Sequence, residues 1–480
     1  MTDRTTLAHL EVPVDAGAIP IWRQIIRLAW PVLLQQSLIF SVGLWDRFLA
    51  GNNTPSDESL HVAFQAAQTN AAYMIWFLSS YSYFVSIGST ALVARFVGAR
   101  DFTMARRATS QAMVLAIALG IFGSVAGLLL VGPFIRLLGV PGPAADIAVQ
   151  FLRPLFTLLV FQVLEAAGIA CLVGAGDTRT GLMITTCVAV MNMPLSWCLL
   201  HGYGPFPELG ITGIAYGTAC SYLIGGTMVT IILLRGRAGL RLRPAQMLPD
   251  FRLIYRILRI SVPAALDSMS VLAGQFWFLS LVNDLGDEAI TAHGVALQWE
   301  ALGYLSANAF GISAMSLVGR SLGARQPVLA ARSGWRALLI GGGFVCFMGL
   351  VFFTLAPQMF RLVCPYEHQL PVVEMGIPVL RLVAFATPGL SCCIILTAAL
   401  RGAGDTRWPV LFTWIGFLCV RIPLAYLLTG QHTLLDGRFV IHGWNVGLFG
   451  AWLAMFADLY VRGSFFLFRF ARGRWKATKV

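Results

Sequence analysis

Charge is scarce in this chain of 480 residues. Asp, Glu, Lys and Arg make up 12% of it and hydrophobic residues 57%, whereas soluble domains are roughly a quarter charged. That scarcity excludes an ordinary soluble globular protein. Nine cysteines are present, but they show neither zinc spacing nor a disulfide framework. Cys171, Cys187, Cys220, Cys392, Cys393 and Cys419 fall inside apolar runs and read as small apolar side chains. A phosphate-binding Gly-rich loop ending in Lys-Ser/Thr is missing, which excludes a self-contained ATP-driven pump. The seven histidines are scattered along the chain, so they offer no cluster for a membrane-embedded enzyme. The first twenty residues lack a short apolar stretch ending in a small-residue cleavage site, and the first apolar run is expected to act as an uncleaved signal.

Long apolar runs are what the chain has instead. Twelve are counted, at about 24–50, 66–96, 108–138, 147–173, 180–202, 209–234, 256–283, 289–319, 333–362, 374–400, 408–430 and 444–470. Each is long enough to cross a hydrocarbon core of about 30 Å as a helix. The predicted fold is an all-α polytopic membrane protein of twelve transmembrane helices. Twelve consecutive spans argue against a buried all-helical soluble core.

The bases fall on alternate loops. Arg95, Arg100, Arg106 and Arg107 lie between spans two and three, and Arg235 to Arg259 between six and seven. Arg320 and Arg325 follow span eight, and Arg469 to Lys479 follow span twelve. The intervening loops are poor in bases and often acidic, as at Asp57, Glu58, Glu208, Asp284 and Asp287. Both termini are therefore expected inside a cell membrane. The net charge of +12 then reflects cytoplasmic loops against anionic lipid headgroups, and nucleic acid is not an expected partner.

The hexapeptide Gly-Ala-Gly-Asp-Thr-Arg occurs at Gly174–Arg179 and again at Gly402–Arg407. Arg153 corresponds to Arg381, Pro194 to Pro423, Pro31 to Pro263, and the Gly-Ala-Arg ending at Arg100 to that ending at Arg325. The predicted organisation is a tail (1–23), a six-helix lobe (24–234), a linker (235–255), a second six-helix lobe (256–470) and a tail (471–480). Six spans per half make the repeat parallel, with the halves related by a pseudo-twofold axis along the membrane normal. Each hexapeptide reads as a tight turn: glycine permits positive φ, and Asp or Thr can cap the following helix. No strand precedes it and no Lys-Ser/Thr follows, so phosphate binding is the weaker reading.

These turns, the Pro31…Asp46 spacing, Leu209–Thr218, Val420–Tyr426 and Val446–Ala451 together resemble the multidrug and toxic compound extrusion (MATE) family, within the MOP flippase superfamily. The similarity runs from about Ile25 to Arg469. It implies two six-helix bundles and secondary active antiport by alternating access. Cationic or amphipathic small molecules, drugs or metabolites, would leave in exchange for H⁺ or Na⁺. It implies no cofactor, and a monomer among membrane lipids.

Ionisable residues within the spans are costly and usually functional. They are Asp46, Glu165, Asp267, Glu300, Arg421 and Asp458. Asp46 stands where the family carries its helix-1 carboxylate for cation coupling, although its position beside Arg47 also suits an interfacial role. The resemblance places Asn192 and Thr218 in the same coupling site, and Ser196 where some members carry a second Asp. Asp46, Asn192 and Thr218 could hold a proton network or Na⁺, but loss of that carboxylate weakens the case for tight Na⁺ binding. For Asn192 a plain helix–helix hydrogen bond is the alternative.

In the second half the helix-7 Glu of one family branch falls at Val271, and its helix-10 Asp is missing. Asp267 lies one turn earlier on the same face. Arg421 must pair with an acid, and Asp267, Glu300 and Asp458 are the candidates. Glu165 has no base near it in sequence and would face a substrate cavity or lie buried. Glu165, Asp267, Glu300 and Arg421 are expected around substrate, joined by Trp76 and Trp277, whose rings suit cation–π contacts. The competing reading is a flippase for lipid-linked precursors, which would be expected to carry several mid-membrane arginines and extra helices.

Overall fold

The structure is a computed structural model and describes residues 19–52, 58–137, 142–434 and 439–478. The tail expected at 1–23 lies mostly outside the described residues.

Each apolar run forms a helix. The spans are α1 (Ile21–Asn52), α2 (Glu58–Gly98), α3 (Phe102–Leu137), α4 (Gly142–Thr157 with Leu159–Ala175), α5 (Thr178–His201) and α6 (Ile211–Arg235). The second half continues with α7 (Phe251–Asn283), α8 (Asp287–Gly323), α9 (Pro327–Val363), α10 (Leu370–Gly402), α11 (Arg407–Thr429) and α12 (Gly447–Arg472). Eleven are long and apolar enough to cross a membrane as single helices. The two segments of α4, bent by 51°, make the twelfth together. Helices satisfy their backbone groups internally, which a lipid interior requires. The break in α4 falls where Leu158 leaves helical geometry at φ −101°, ψ 12°, four residues after Pro154. Proline in a helix removes a backbone donor and loosens the ladder around it.

Two further spans depart from uniform α-helix. Short π-helical turns interrupt α10 at Cys392–Leu396 and α11 at Gly416–Arg421. Such bulges widen a helix by one residue and re-aim its side chains. Outside the membrane helices, Gln431–Leu434 pairs antiparallel with Phe439–His442. The all-α expectation holds for the spans, with this strand pair added between α11 and α12.

The described residues sort into two compact units. One is Trp30–Ala265; the other joins Ile19–Ala29 to Leu266–Val480. Within the first, the segment after α6 is irregular, as Pro244 and Pro249 foretell, and it is tied down. Gln111 donates to the Gln246 and Leu248 carbonyls at 2.9 and 2.8 Å and accepts from the Asp250 N–H, while Arg106 donates to the Gly239 carbonyl.

The hexapeptide turns take the same local form in both units. The third residue is left-handed in each, with φ 90° at Gly176 and 80° at Gly404, and the Gly-Ala-Arg repeats match too, with φ 59° at Arg100 and 57° at Arg325. In each unit the turn's aspartate also meets an arginine at or just beyond the end of the sixth helix. Asp177 accepts from Arg237 at 2.9 Å, and Asp405 from Arg469 at 2.8 Å. Asp177 caps α5 as well, accepting from the Thr180 N–H at 3.0 Å.

Candidate functional site

In the first unit three of the four residues expected around a coupling cation come together. Asn192 on α5 donates to the Thr218 hydroxyl on α6 at 3.0 Å, and that hydroxyl donates onward to Asp46 Oδ2 on α1 at 3.5 Å. Next to Asp46, the Trp45 indole donates to the Met193 carbonyl at 3.1 Å, which fixes α1 against α5. Asp46 Oδ1 and Asn192 Oδ1 are both buried, and neither accepts a hydrogen bond. Buried oxygens without donors are costly to hold, and here the two belong to side chains linked through one hydroxyl.

Ser196, one turn beyond Asn192, does not join these hydrogen bonds. Its hydroxyl is directed to the Ile214 carbonyl at 3.5 Å, and α6 approaches so closely that a Cβ at Gly217 would collide with Ser196 Oγ. A small residue there lets the two helices touch and carries Thr218 to Asn192.

Glu165 on α4 is buried, and its Oε2 accepts no hydrogen bond. Tyr222 on α6 lies within electrostatic reach of both Glu165 and Asp46. Sequence reasoning passed over Tyr222. Its signal was its place four residues after Thr218, hence on the same face of α6.

In the second unit Arg421 finds its partner in Asp458 on α12. Its Nη2 lies 2.8 Å and its Nε 3.0 Å from Asp458 Oδ2. A second guanidinium joins the same carboxylate: Arg462 Nε donates to Oδ1 and its Nη2 to Oδ2, both at 2.7 Å. Arg421 is 2% exposed and Asp458 0%. The Phe417 ring takes both guanidinium groups, with their carbons 4.4 Å (Arg421) and 5.0 Å (Arg462) from its centroid. A Cβ at Gly416 would collide with Asp458 Oδ1, so only glycine admits α12 to this turn. Arg462 is not among the ionisable residues that the sequence singles out within the spans. The available signal was its position four residues after Asp458, one helical turn away.

The other expected substrate residues do not gather at this centre. Asp267 on α7 pairs with Arg401 at the end of α10 at 2.7 Å. Glu300 on α8 makes no ion pair with Arg421, although their charges interact. Trp277 lines a largely apolar cavity of about 480 Å³ with Ser270, Gly274, Trp414, Phe417 and Ile422, and its indole donates to the Tyr426 hydroxyl at 3.3 Å. Trp76 stands exposed on α2. No group of three or more His, Cys, Asp or Glu side chains able to hold a metal ion occurs among the described residues.

Two units of apolar helices, each with ionisable side chains inside its spans, define a polytopic membrane transporter. The chain belongs to the MATE family: the MatE family model matches it over residues 31–198 and again over 263–427. It is similar to the probable multidrug resistance protein NorM of Thermotoga maritima, with 25% identity over 470 residues, 96% of this chain and 94% of that protein. The probable multidrug resistance protein YoeA of Bacillus subtilis is 24% identical over 85% of this chain and 87% of its own length. Among solved structures, a MATE protein in complex with MaL6 superposes with a TM-score of 0.84 at 19% identity, covering 95% of this chain and 97% of that one. A MOP superfamily transporter from Pyrococcus furiosus gives 0.83 at 19% identity, over 96% and 97%. The resemblance seen in the sequence is thereby confirmed, and with it a transporter rather than an enzyme.

Proposed function

We propose that this chain is a secondary antiporter that exports cationic or amphipathic small molecules in exchange for H⁺ or Na⁺, and that Asp46 is the group that exchanges the cation. The observation that carries this reading is the pair of partnerless buried oxygens, Asp46 Oδ1 and Asn192 Oδ1, on two side chains that Thr218 links through their other polar atoms. A proton on Asp46 would supply the missing donor, and Na⁺ would use both oxygens as ligands. With a single carboxylate in the set, H⁺ is the better fit, since Na⁺ asks for several oxygens and compensating charge.

The multidrug relatives support drug export. Coupling then follows from linkage: the cation favours one state of the transporter and the drug the other, so each weakens the other's binding. The flippase reading fits less well. Both buried guanidinium groups of the second unit bond the single carboxylate of Asp458, which leaves too few free donors for a pyrophosphate. Glu165, Asp267, Glu300, Trp76 and Trp277 remain proposed substrate contacts. Placement in the cell membrane with both termini inside rests on the distribution of arginines.

The deciding experiment is efflux of a fluorescent cationic dye from proteoliposomes under separately imposed pH and Na⁺ gradients. Dye movement driven by the pH gradient alone supports H⁺ exchange, and by the Na⁺ gradient alone, Na⁺ exchange. Movement indifferent to both would refute antiport.

A further inference from the structure

The second unit carries more positive charge at its centre than its hydrogen bonds balance. One carboxylate, Asp458, serves two guanidinium groups, Arg421 and Arg462, which leaves one positive charge over. An uncompensated charge inside a membrane protein is expensive. Arg421 Nη1 is buried and has no acceptor, so the centre keeps an unused N–H donor beside its excess charge. The groups acting on this centre can be named element by element. Glu300 on α8 interacts with Arg421. Cys393, on the π-helical turn of α10, lies near all three members. Asp267 on α7 interacts with Arg462 and is itself held by Arg401. Of the two remaining acids, Asp267 is already committed, and Glu300 is the one whose charge reaches Arg421.

We propose that Arg421, backed by Asp458 and Arg462, forms with Glu300 a proton-linked site for a monoanion, either a halide or the carboxylate of an organic molecule. With a proton on Glu300, the carboxyl O–H and Arg421 Nη1 both donate to the bound anion, and the excess positive charge is balanced. When Glu300 releases its proton, its own carboxylate becomes the counter-charge to Arg421, and the anion is expelled. One proton therefore enters with each anion. The wide π-helical turn at Gly416–Arg421 and the Phe417 ring hold both guanidinium groups in place. All the residues of this site belong to the second unit, and it stands independently of the Asp46 reading.

The test is binding to the purified full-length protein, with sodium benzoate and sodium bromide as probes and sodium sulfate at matched ionic strength as control. Stabilisation of the native state reports occupancy. Benzoate or bromide should raise the thermal midpoint at about pH 5.5, and with one linked proton the affinity should fall by up to about tenfold per pH unit toward pH 8. A response to benzoate alone identifies an organic carboxylate as the ligand, and a response to bromide alone a halide. Glu300→Gln imitates the protonated acid and should bind at both pH values without that fall. Arg421→Gln should lose binding; if it does not fold, Glu300→Gln decides alone. Binding that ignores pH in the unaltered protein, equal stabilisation by sulfate, or loss of binding in Glu300→Gln would each overturn the assignment. Because binding is read without transport, these results do not depend on whether dye efflux succeeds.

Discussion

Asp46 has one carboxylate oxygen engaged by Thr218 and the other buried with no donor. The Thr218 hydroxyl links that carboxylate to Asn192, so Thr218→Val should separate them while keeping the shape. Export in the variant is expected to fall several-fold, with the protein still folded, in a dye-efflux assay normalised to membrane expression; unchanged export would remove Thr218 from the mechanism. Asp458 sets a different expectation. Taking its charge away leaves two guanidinium groups buried together, and breaking such a pair costs about 3–5 kcal/mol. Asp458→Asn should lower the thermal midpoint of the purified protein markedly. Equal midpoints for Asp458→Asn and the unaltered protein would show that the cluster is not structural.

At the scale of the helix, the repeated turns carry the clearest consequences. Burial pushes the Asp405 carboxyl above its ordinary value near 3.8, against the pull of Arg469. A raised carboxyl binds its proton more tightly folded than unfolded, so its contribution is full at low pH and fades as pH rises through the raised value. Asp405→Asn should therefore match the unaltered protein near pH 4 and gain on it toward pH 7 in thermal midpoint. The opposite trend would contradict the desolvation argument. Arg469→Ala leaves the carboxylate buried without its partner and should destabilise at neutral pH.

The helices were legible because apolar runs of membrane length admit little else. Their ends were less so: α7 begins at Phe251, ahead of the expected 256, because a basic residue such as Arg252 reads as linker although it rides on the helix. The bend in α4 and the two π-helical turns left no period in the sequence. Of the sites, the grouping of Asp46, Asn192 and Thr218 was readable through the resemblance, whereas Ser196, placed with them by the same resemblance, bonds elsewhere. The Arg421–Asp458 pair joins residues 37 positions apart, and nothing in the spacing chose Asp458 over Asp267 or Glu300.

For the molecule as a whole, orientation is the first expectation to check. Ala175 and Ala403 in the hexapeptide turns are buried, so cysteines there would stay silent on either side. Arg179 and Arg407 are exposed and serve better. In sealed cells Arg179→Cys and Arg407→Cys should resist a membrane-impermeant thiol reagent, in a background without the native cysteines, and react once the membrane is opened. Reaction in sealed cells would invert the topology and with it the direction of transport.

The central claim is that cation exchange resides at Asp46. Asp46→Asn keeps the size of the side chain and removes its charge, so it imitates a carboxylate that never releases its proton. The direct measurement is gradient-driven dye efflux from proteoliposomes containing the unaltered protein, Asp46→Asn or Asp267→Asn, reconstituted at equal density. The account predicts that Asp46→Asn loses driven efflux while remaining folded, and that Asp267→Asn retains it. Normal driven efflux by Asp46→Asn together with its loss in Asp267→Asn would place exchange in the second half and contradict the account.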